Sequence, residues 1–113
     1  MRRTGRLSRD GETRFDEIIH PSTRLSIVSL LASAEWVDFA YIRDQLGLSD
    51  SALSKQLSIL DDAGYVAQDR PTTGRLRRVH VRMTPKGRAA FRSHVAALKV
   101  IVASSEDSFV TET

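Results

Sequence analysis

The side chains most suited to specific chemistry are hydroxyl, amide and amine groups that recur between Ser49 and Ser58. Groups of these types donate hydrogen bonds to phosphate oxygens and to base edges, and a glutamine amide can pair with adenine. If this stretch is helical, Ser51, Lys55 and Ser58 lie opposite a stripe of leucines. The stretch therefore predicts a surface that contacts nucleic acid, and its candidate residues are Ser49, Ser51, Ser54, Lys55, Gln56 and Ser58.

Other roles stay open for some of these side chains. Gln56 falls among the apolar positions of the helix, near Ala52 and Ala63, where it could contact a neighbouring helix as readily as a ligand. The hydroxyls could also be ordinary solvent-facing groups of an amphipathic helix. Asp50 is expected to support the N-terminus of this helix rather than to contact DNA, because phosphates repel a carboxylate.

A second candidate set consists of arginines on both sides of a Pro-Thr-Thr-Gly turn sequence. The chain has 17 Lys and Arg against 14 Asp and Glu, but the charges are segregated, and residues 70–105 contain no carboxylate. Segregation of this kind gives a one-sided positive field that suits a polyanion. The alternatives are a solvated basic surface without a partner, or charges that protect an edge strand from aggregation. These arginines, here called the basic wing, are Arg70, Arg75, Arg77 and Arg78.

Several classes of protein are disfavoured by what the sequence lacks. There is no cysteine, which excludes disulfides, thiolate zinc sites and thiol redox sensing. The three histidines lack the spacing of a metal site, so we predict no metal and no cofactor; a histidine–carboxylate site assembled across a dimer is the open alternative. No glycine-rich phosphate loop or nucleophile elbow is present, so we expect no enzyme. No apolar run reaches membrane-spanning length and no secretory signal is evident, so we expect a cytoplasmic protein without a membrane partner.

Capping residues and apolar periodicity predict two helices ahead of the candidate stretch. A short helix is expected over residues 13–19, with Thr13 as its N-cap and Pro21 just beyond its end. A second helix is expected to begin at Ser22, also as N-cap. A short strand or extended link at residues 35–37 follows it.

The candidate stretch then lies in the second helix of a helix-turn-helix. Asp38 is expected to cap a helix that Gly47 ends. Only Leu48 separates this glycine from the next N-cap, Ser49, and helices joined by so short a turn must cross steeply, as in DNA-binding helix-turn-helix units. After Gly64, alternating apolar residues on both sides of the Pro-Thr-Thr-Gly turn predict a β-hairpin that carries the basic wing.

A final helix is expected from Pro85 to about Ala103, capped by Thr84. Its apolar surface is too broad for a single small domain to cover, which predicts a homodimer; the alternative is that the helix folds back on its own domain. The predicted interface residues are Phe15, Ile18, Ile19, Phe91, Val95, Leu98 and Val102. The domain would span residues 13–103, between a flexible basic arm at 1–12 and a polar tail at 104–113.

Three segments carry a family resemblance, in the order HPSTRLSIVSLL, LGLSDSALSKQLSILDDAGYV and TTGRLRRVHVRMTPKGRAAF. They resemble winged-helix regulators of the MarR and ArsR type, and most of all the small single-domain winged helix-turn-helix regulators between these two groups. The resemblance covers about residues 20–98 and is most specific over SALSKQLSILDDAGYV. It implies DNA binding as a homodimer, often with repression of nearby genes, and places the basic wing on the backbone or minor groove. The chain lacks the cysteine pairs and histidine–carboxylate strings of metal-binding ArsR-like proteins, so metal sensing is not implied. The groove contacts that the resemblance implies are Ser51, Ser54, Lys55 and Gln56.

The predicted fold is mainly α with a small β-hairpin, a winged helix-turn-helix whose flanking N- and C-terminal helices form a dimer interface. The predicted function is sequence-specific binding of double-stranded DNA, at a palindromic operator, by a homodimer that regulates transcription, most simply as a repressor. The recognition helix, residues 49–63, would enter the major groove, and the wing at 70–78 would contact the backbone or minor groove. The alternative is a winged-helix module that binds protein rather than DNA, and RNA binding is less favoured because the sequence shows no aromatic platform. The sequence defines neither the operator nor a small-molecule effector.

Overall fold

The computed structural model of the chain describes residues 14–70 and 78–112, and for residues 106–112 the backbone alone. Within these ranges the chain forms four helices and three short strands, in the order that the sequence predicts for a winged helix. The elements are α1 (Ser22–Ala32), β1 (Val37–Asp38), α2 (Phe39–Leu46), α3 (Asp50–Asp62), β2 (Val66–Asp69), β3 (His80–Met83) and α4 (Pro85–Glu112).

The turn between α2 and α3 has the geometry that its sequence predicts. Gly47 follows α2 with a φ of 65°, a left-handed conformation that glycine adopts without a steric penalty. Two residues later the hydroxyl of Ser49 accepts a hydrogen bond from the backbone N–H of Ala52 at 3.1 Å, which caps α3. The predicted helix-turn-helix is therefore confirmed.

The three strands form one antiparallel sheet in the order β1-β3-β2. Val81 in the central strand is paired with Val37 on one side and with Gln68 on the other. The pairing of β2 with β3 is that of the predicted hairpin, whose turn sequence lies outside the described residues. The short strand predicted near Trp36 is β1.

The core lies between α1, α2, α3 and the inner face of the sheet. The leucines of α3, predicted to form its buried stripe, have no exposed surface. They pack with apolar residues of the other elements, as the period of an amphipathic helix requires. The fully buried members of this core are Ile19, Ile27, Val28, Leu31, Ile42, Leu53, Leu57, Leu60 and Val81.

The segment before α1 differs from its prediction, because residues 17–19 form a single turn and not a helix. The carboxylate of Asp16 accepts hydrogen bonds from the backbone N–H groups of Ile18 and Ile19, at 2.8 and 3.2 Å. Pro21 then occupies the N-cap position of α1, so Ser22 is the first residue of the helix and not its cap. The predicted cap of the short helix, Thr13, lies outside the described residues.

Two further expectations need correction. Ile19 was predicted at the dimer interface, but it is 0% exposed and belongs to the core of its own subunit, so no partner can cover it directly. The last helix, predicted to end near Ala103, continues to Glu112, so the backbone of the predicted polar tail is helical up to that residue.

The predicted arm at residues 1–12 lies outside the described residues. In the part of the chain that the structure describes, no helix is long and apolar enough to cross a membrane.

Candidate nucleic-acid interface

The outer face of α3 carries the polar side chains that the sequence singles out. Ser51, Ser54, Lys55 and Ser58 are all exposed, whereas the leucine stripe on the opposite face is fully buried. Ser49 is exposed as well, but its hydroxyl is occupied in capping the helix and lies 3.3 Å from the hydroxyl of Ser51. A rigidly packed helix therefore presents hydroxyl groups and one amine to solvent.

Gln56 lies apart from this exposed face. Its side chain is half-buried, and its Oε1 accepts a hydrogen bond from Nη1 of Arg24 in α1 at 2.8 Å. Contact with a neighbouring helix was one of the two roles left open for this residue, and the structure shows such a contact. A bidentate pair with adenine needs both the oxygen and the nitrogen of the amide, so Gln56 would have to share or release Arg24 to make it.

Arg43 of α2 forms ion pairs with two carboxylates near the start of α3. The guanidinium of Arg43 lies 2.9 Å from carboxylate oxygens of both Asp44 and Asp50. Hydrogen bonding with Asp44, and then with Asp50, raises the pKa of Arg43 above its ordinary value, and the bond with Arg43 lowers the pKa of Asp44. The negative charge of Asp50 beside the amino end of α3 is therefore partly offset.

An open groove of about 390 Å³ runs beside this ion pair. It is bounded by the starts of α2 and α3 and by the residues that lead into β3. Backbone N–H groups at helix starts attract anions, and two guanidinium groups lie at the groove wall. Both guanidinium groups already face a carboxylate of the same groove, Arg43 that of Asp50 and Arg78 that of Asp38, so a phosphate would have to compete for them. Its lining residues are Asp38, Phe39, Ala40, Arg43, Asp50, Arg78 and Val79.

Two members of the basic wing, Arg70 and Arg78, are described, and both are exposed. They flank the hairpin turn, one after β2 and the other before β3. Nη1 of Arg78 lies 3.6 Å from Oδ2 of Asp38, a pair that the sequence analysis missed. The remaining two members, Arg75 and Arg77, lie outside the described residues.

Trp36 stacks on His80 beside this pair, with ring centroids 3.6 Å apart and planes 10° from parallel. Nε2 of the histidine also lies 3.5 Å from Oδ1 of Asp38. The stack lies where β1 runs beside β3, at the end of the hairpin next to its turn. No local sequence signal indicates it, because the two rings are 44 positions apart along the chain.

Not every arginine of residues 70–105, here called the basic stretch, is available to a ligand. Arg82 pairs with Asp69 across the hairpin at 3.0 Å. Arg88 donates from Nη1 to the carbonyl oxygen of Ala32 at 2.8 Å, which satisfies a carbonyl at the end of α1. Both arginines are engaged by groups of the protein itself, and counting charges in the sequence cannot separate them from the others.

The predicted dimer residues form a partly exposed apolar surface. Phe15 is 37% exposed and Val102 52% exposed, while Ile18, Phe91, Val95 and Leu98 are half-buried. The neighbours of Val102 in α4, Val100 and Ile101, are also more than half exposed. Three consecutive exposed β-branched residues on one helix leave apolar surface that a second protein surface could cover.

The residues described hold no group of three or more histidine or acidic side chains that could bind a metal ion. The chemistry that the described site offers is hydrogen bonding and ion pairing from one rigid helix and one cationic hairpin.

Comparison with known proteins agrees with this arrangement. Residues 23–102 match the family model of the winged helix DNA-binding domain. Uncharacterized protein MJ0432 of Methanocaldococcus jannaschii is 30% identical over 80 residues, which are 70% of this chain and 86% of that protein. The fold is similar to that of a transcriptional regulator homologue from Pyrococcus horikoshii OT3, with a TM-score of 0.75 and 22% identity over 79% of this chain and 88% of that chain.

Two other solved structures share the fold at lower similarity. NadR, solved in complex with 4-hydroxyphenylacetate, matches with a TM-score of 0.64 and 21% identity over 91% of this chain and 75% of its own. FabT of Streptococcus pneumoniae, solved in complex with DNA, matches with a TM-score of 0.59 and 24% identity over 76% of this chain and 59% of its own. The predicted winged helix fold of MarR-like regulators is thereby confirmed.

Proposed function

Because the chain belongs to the winged helix DNA-binding domain family, we propose that it binds double-stranded DNA sequence-specifically as a homodimer and regulates transcription, most simply as a repressor. The observation that carries the proposal is the polar outer face of α3. Its serines and Lys55 are exposed, while the leucines opposite are fully buried and fix the helix on the core. The major groove of B-DNA is about 12 Å wide and admits one such helix.

In the proposed complex α3 lies in the major groove. Lys55 contacts guanine or a phosphate, and Ser51, Ser54 and Ser58 donate to base edges or phosphates. The free N–H groups at the start of α3 add phosphate contacts, since Arg43 offsets the charge of the neighbouring carboxylate. Sequence preference arises on this face of the helix, because only groove contacts distinguish one base pair from another.

The basic wing grips the backbone or the minor groove beside this site. Its exposed members Arg70 and Arg78 support this role, and Arg75 and Arg77 are assigned to it from the sequence. Phosphate contacts supply affinity without sequence preference. The crystal structure of FabT in complex with DNA supports the proposal that this fold binds DNA. The cytoplasm, where such a regulator meets its DNA, is the proposed place of action.

The proposed dimer is formed through α4. The exposed Val102 continues the half-buried stripe of Phe91, Val95 and Leu98 at helical spacing, and Phe15 widens it. To match successive major grooves of a palindromic operator, the two-fold axis must place both copies of α3 on one side of the dimer, about 34 Å apart.

Selection of bound sequences from a random duplex library, repeated with two variants, tests the DNA-binding proposal. Lys55→Ala should change the preferred base at one position of each half-site, worth about 1–3 kcal/mol of discrimination. Arg70→Ala should weaken binding to all sequences alike and reduce the slope of log affinity against log salt by about 1. Lys99→Ala, which removes an exposed charge from α4, is the matched control and should leave the preferred bases unchanged.

Two results would count against this assignment. If Arg70→Ala alters the preferred bases while Lys55→Ala does not, the roles of α3 and the wing are reversed. If wild-type protein binds no duplex of any sequence even at low salt, the DNA-binding proposal is wrong and the protein-binding alternative takes its place.

The dimer is tested by sedimentation velocity at micromolar concentration. The wild type should sediment as a dimer and Val102→Glu as a monomer, because the glutamate would bring a charge into an apolar contact. Val100→Glu makes the same change on the opposite face of α4 and should remain dimeric. A monomeric wild type would remove the dimer from the proposal.

A further inference from the structure

Arg24 in α1 joins two parts of the molecule that are distant along the chain. Its Nε donates to the carbonyl oxygen of Ile18 at 2.6 Å, and its Nη1 donates to Oε1 of Gln56 at 2.8 Å. Ile18 belongs to residues 14–20, here called the N-terminal segment, and Gln56 belongs to α3. A planar guanidinium holds both acceptors in one fixed geometry, which the single ammonium group of a lysine does not.

The N-terminal segment is itself fastened to α4. The backbone N–H of Arg14 donates to Oγ of Ser93, and that of Asp16 donates to Nδ1 of His94, both at 2.9 Å. Ser93 is 6% exposed and His94 is 0% exposed, so both acceptors lie inside the fold. Phe15 covers the histidine, with ring centroids 4.9 Å apart. The segment is therefore attached to α4 through two buried acceptors, and the segment and the helix are here called one layer.

Hydrogen bonds thus run without interruption from α4 to α3. They pass from His94 to the backbone of Asp16, across the turn that the Asp16 carboxylate closes, to the carbonyl of Ile18, and through Arg24 to Gln56. The leucine stripe fixes the depth of α3 and most of its orientation, because a roll of the helix would expose buried side chains. The charge-assisted hydrogen bond between Arg24 and Gln56 adds a directional constraint at the flank of the helix, which limits small changes in the angle of its outer face.

We infer that Arg24 is a positioning residue that couples the orientation of α3 to the layer formed by α4 and the N-terminal segment. The inference rests on the proposed function, because the orientation of α3 matters for base contacts. In a dimer built on α4, the same hydrogen bonds set how each α3 faces the DNA relative to the two-fold axis. Gln56 is then an anchor of α3, and it could pair with adenine only by sharing or releasing Arg24.

A double-mutant cycle on DNA binding tests this inference. The probes are an operator selected from the random library and a random duplex of the same length, and the quantity measured is the ratio of the two affinities. Arg24→Met and Gln56→Met should each lower this ratio about tenfold, as loss of one charge-assisted hydrogen bond would. The double variant should lose about tenfold as well and not a hundredfold, because both changes break the same bond.

Two conservative variants separate positioning from charge. Arg24→Lys keeps the charge but not the fork, and it should lose selectivity as Arg24→Met does. Gln56→Glu keeps an acceptor for Arg24 and should retain the selectivity ratio even where its charge weakens binding to both duplexes. Affinity for the random duplex and its salt slope should be the same in Arg24→Met as in Arg92→Met, which removes an exposed charge from α4.

Three results would overturn the inference. A double variant that loses about a hundredfold would show that the two residues act independently. Wild-type selectivity in Arg24→Lys would show that only the charge matters. A lower salt slope in Arg24→Met than in Arg92→Met would make Arg24 a phosphate contact.

Amide hydrogen exchange separates failure of this inference from failure of the proposed function, because it needs no DNA. In Arg24→Met the amides of Ile18, Ile19 and α3 should exchange faster than in the wild type, while those of Arg92→Met should not change. A wild type that binds no duplex would refute the proposed function alone. Unchanged exchange in Arg24→Met would refute the coupling whatever the protein binds.

Discussion

Replacement of Gly87 by alanine tests how α3, the hairpin and α4 are joined. Gly87 lies in the first turn of α4 and faces the backbone of Tyr65, which stands between α3 and β2. A Cβ at position 87 would lie 2.1 Å from the carbonyl oxygen of Tyr65 and 2.8 Å from its carbonyl carbon. Both are backbone atoms, so no side-chain rotation relieves the contact. The start of α4 must move away by about 1.3 Å or more to reach an ordinary van der Waals distance.

The cost of this movement follows from the bonds in its path. Thr84 donates from Oγ1 to the carbonyl of Gly64 at 2.6 Å and from its backbone N–H to the carbonyl of Tyr65 at 3.0 Å. Loss of both bonds costs about 1–3 kcal/mol, and overpacking adds about 1–3 kcal/mol. The higher helix propensity of alanine offsets at most about 1 kcal/mol. The expected net loss in the free energy of unfolding is about 3 kcal/mol, roughly 12 °C in Tm for a chain of this size.

Urea unfolding followed by circular dichroism measures this loss as a lower midpoint at an unchanged m-value. Gly47→Ala is the matched control, because the same methyl group there has no described atom within 4 Å. Its cost is confined to the left-handed backbone conformation at φ 65°, about 1–2 kcal/mol. If Gly87→Ala is no more destabilising than Gly47→Ala, α4 does not press on Tyr65 and the reasoning is refuted.

Three further predictions concern pH, the core and the basic stretch. Burial, and then the charge of His20, hold the pKa of His94 below its usual value, so the unfolded chain takes up this proton first as pH falls. This contribution to stability should be complete above about pH 6.5 and fall by up to about 1.4 kcal/mol per pH unit below it. His94→Leu should make the free energy of unfolding depend less on pH in this range. An equally steep dependence in His94→Leu would contradict the assignment to His94. Leu57→Ala should cost about 2–5 kcal/mol in urea unfolding, because its side chain is fully buried, and a loss below 1 kcal/mol would contradict the packing described. Arg88→Met should lower the free energy of unfolding by about 1–3 kcal/mol, because it removes the donor to the carbonyl of Ala32 at the end of α1. Arg92→Met, which changes an exposed residue, should lower it by less than about 0.5 kcal/mol. Equal losses would show that Arg88 does not stabilise the end of α1.

The helix-turn-helix could be predicted because its signals are local. Gly47 and Ser49 act through backbone conformation and a hydrogen bond within their own turn, so the residue types alone indicate the geometry. The leucine stripe of α3 has the period of a helix with one buried face, and its burial follows from that period. The exposed positions opposite the stripe follow from the same helical period. The outer face of α3 was therefore predictable down to individual residues.

The N-terminal segment could not be predicted because its structure depends on distant partners. Its backbone donates to Ser93 and His94, which lie 79 and 78 positions away, and the carboxylate of Asp16 accepts a hydrogen bond from the hydroxyl of Tyr65. These contacts favour one turn over the short helix that local periodicity indicates. The same contacts hold the turn against the fold, which explains why the apolar Ile19 lies in the core and not at the predicted interface.

Individual arginines of one basic stretch serve different purposes, and this has a consequence for DNA binding. Arg82 and Arg88 are engaged by groups of the protein itself, and Arg78 lies close enough to Asp38 that a phosphate must compete for it. Non-specific affinity grows with the number of phosphates that cations neutralise, so one subunit offers fewer such contacts than its sequence suggests. A second subunit doubles that number without any new residue and makes the second contact intramolecular. If the proposed dimer forms through α4, a variant that separates the subunits should therefore weaken DNA binding more than the loss of a single arginine does.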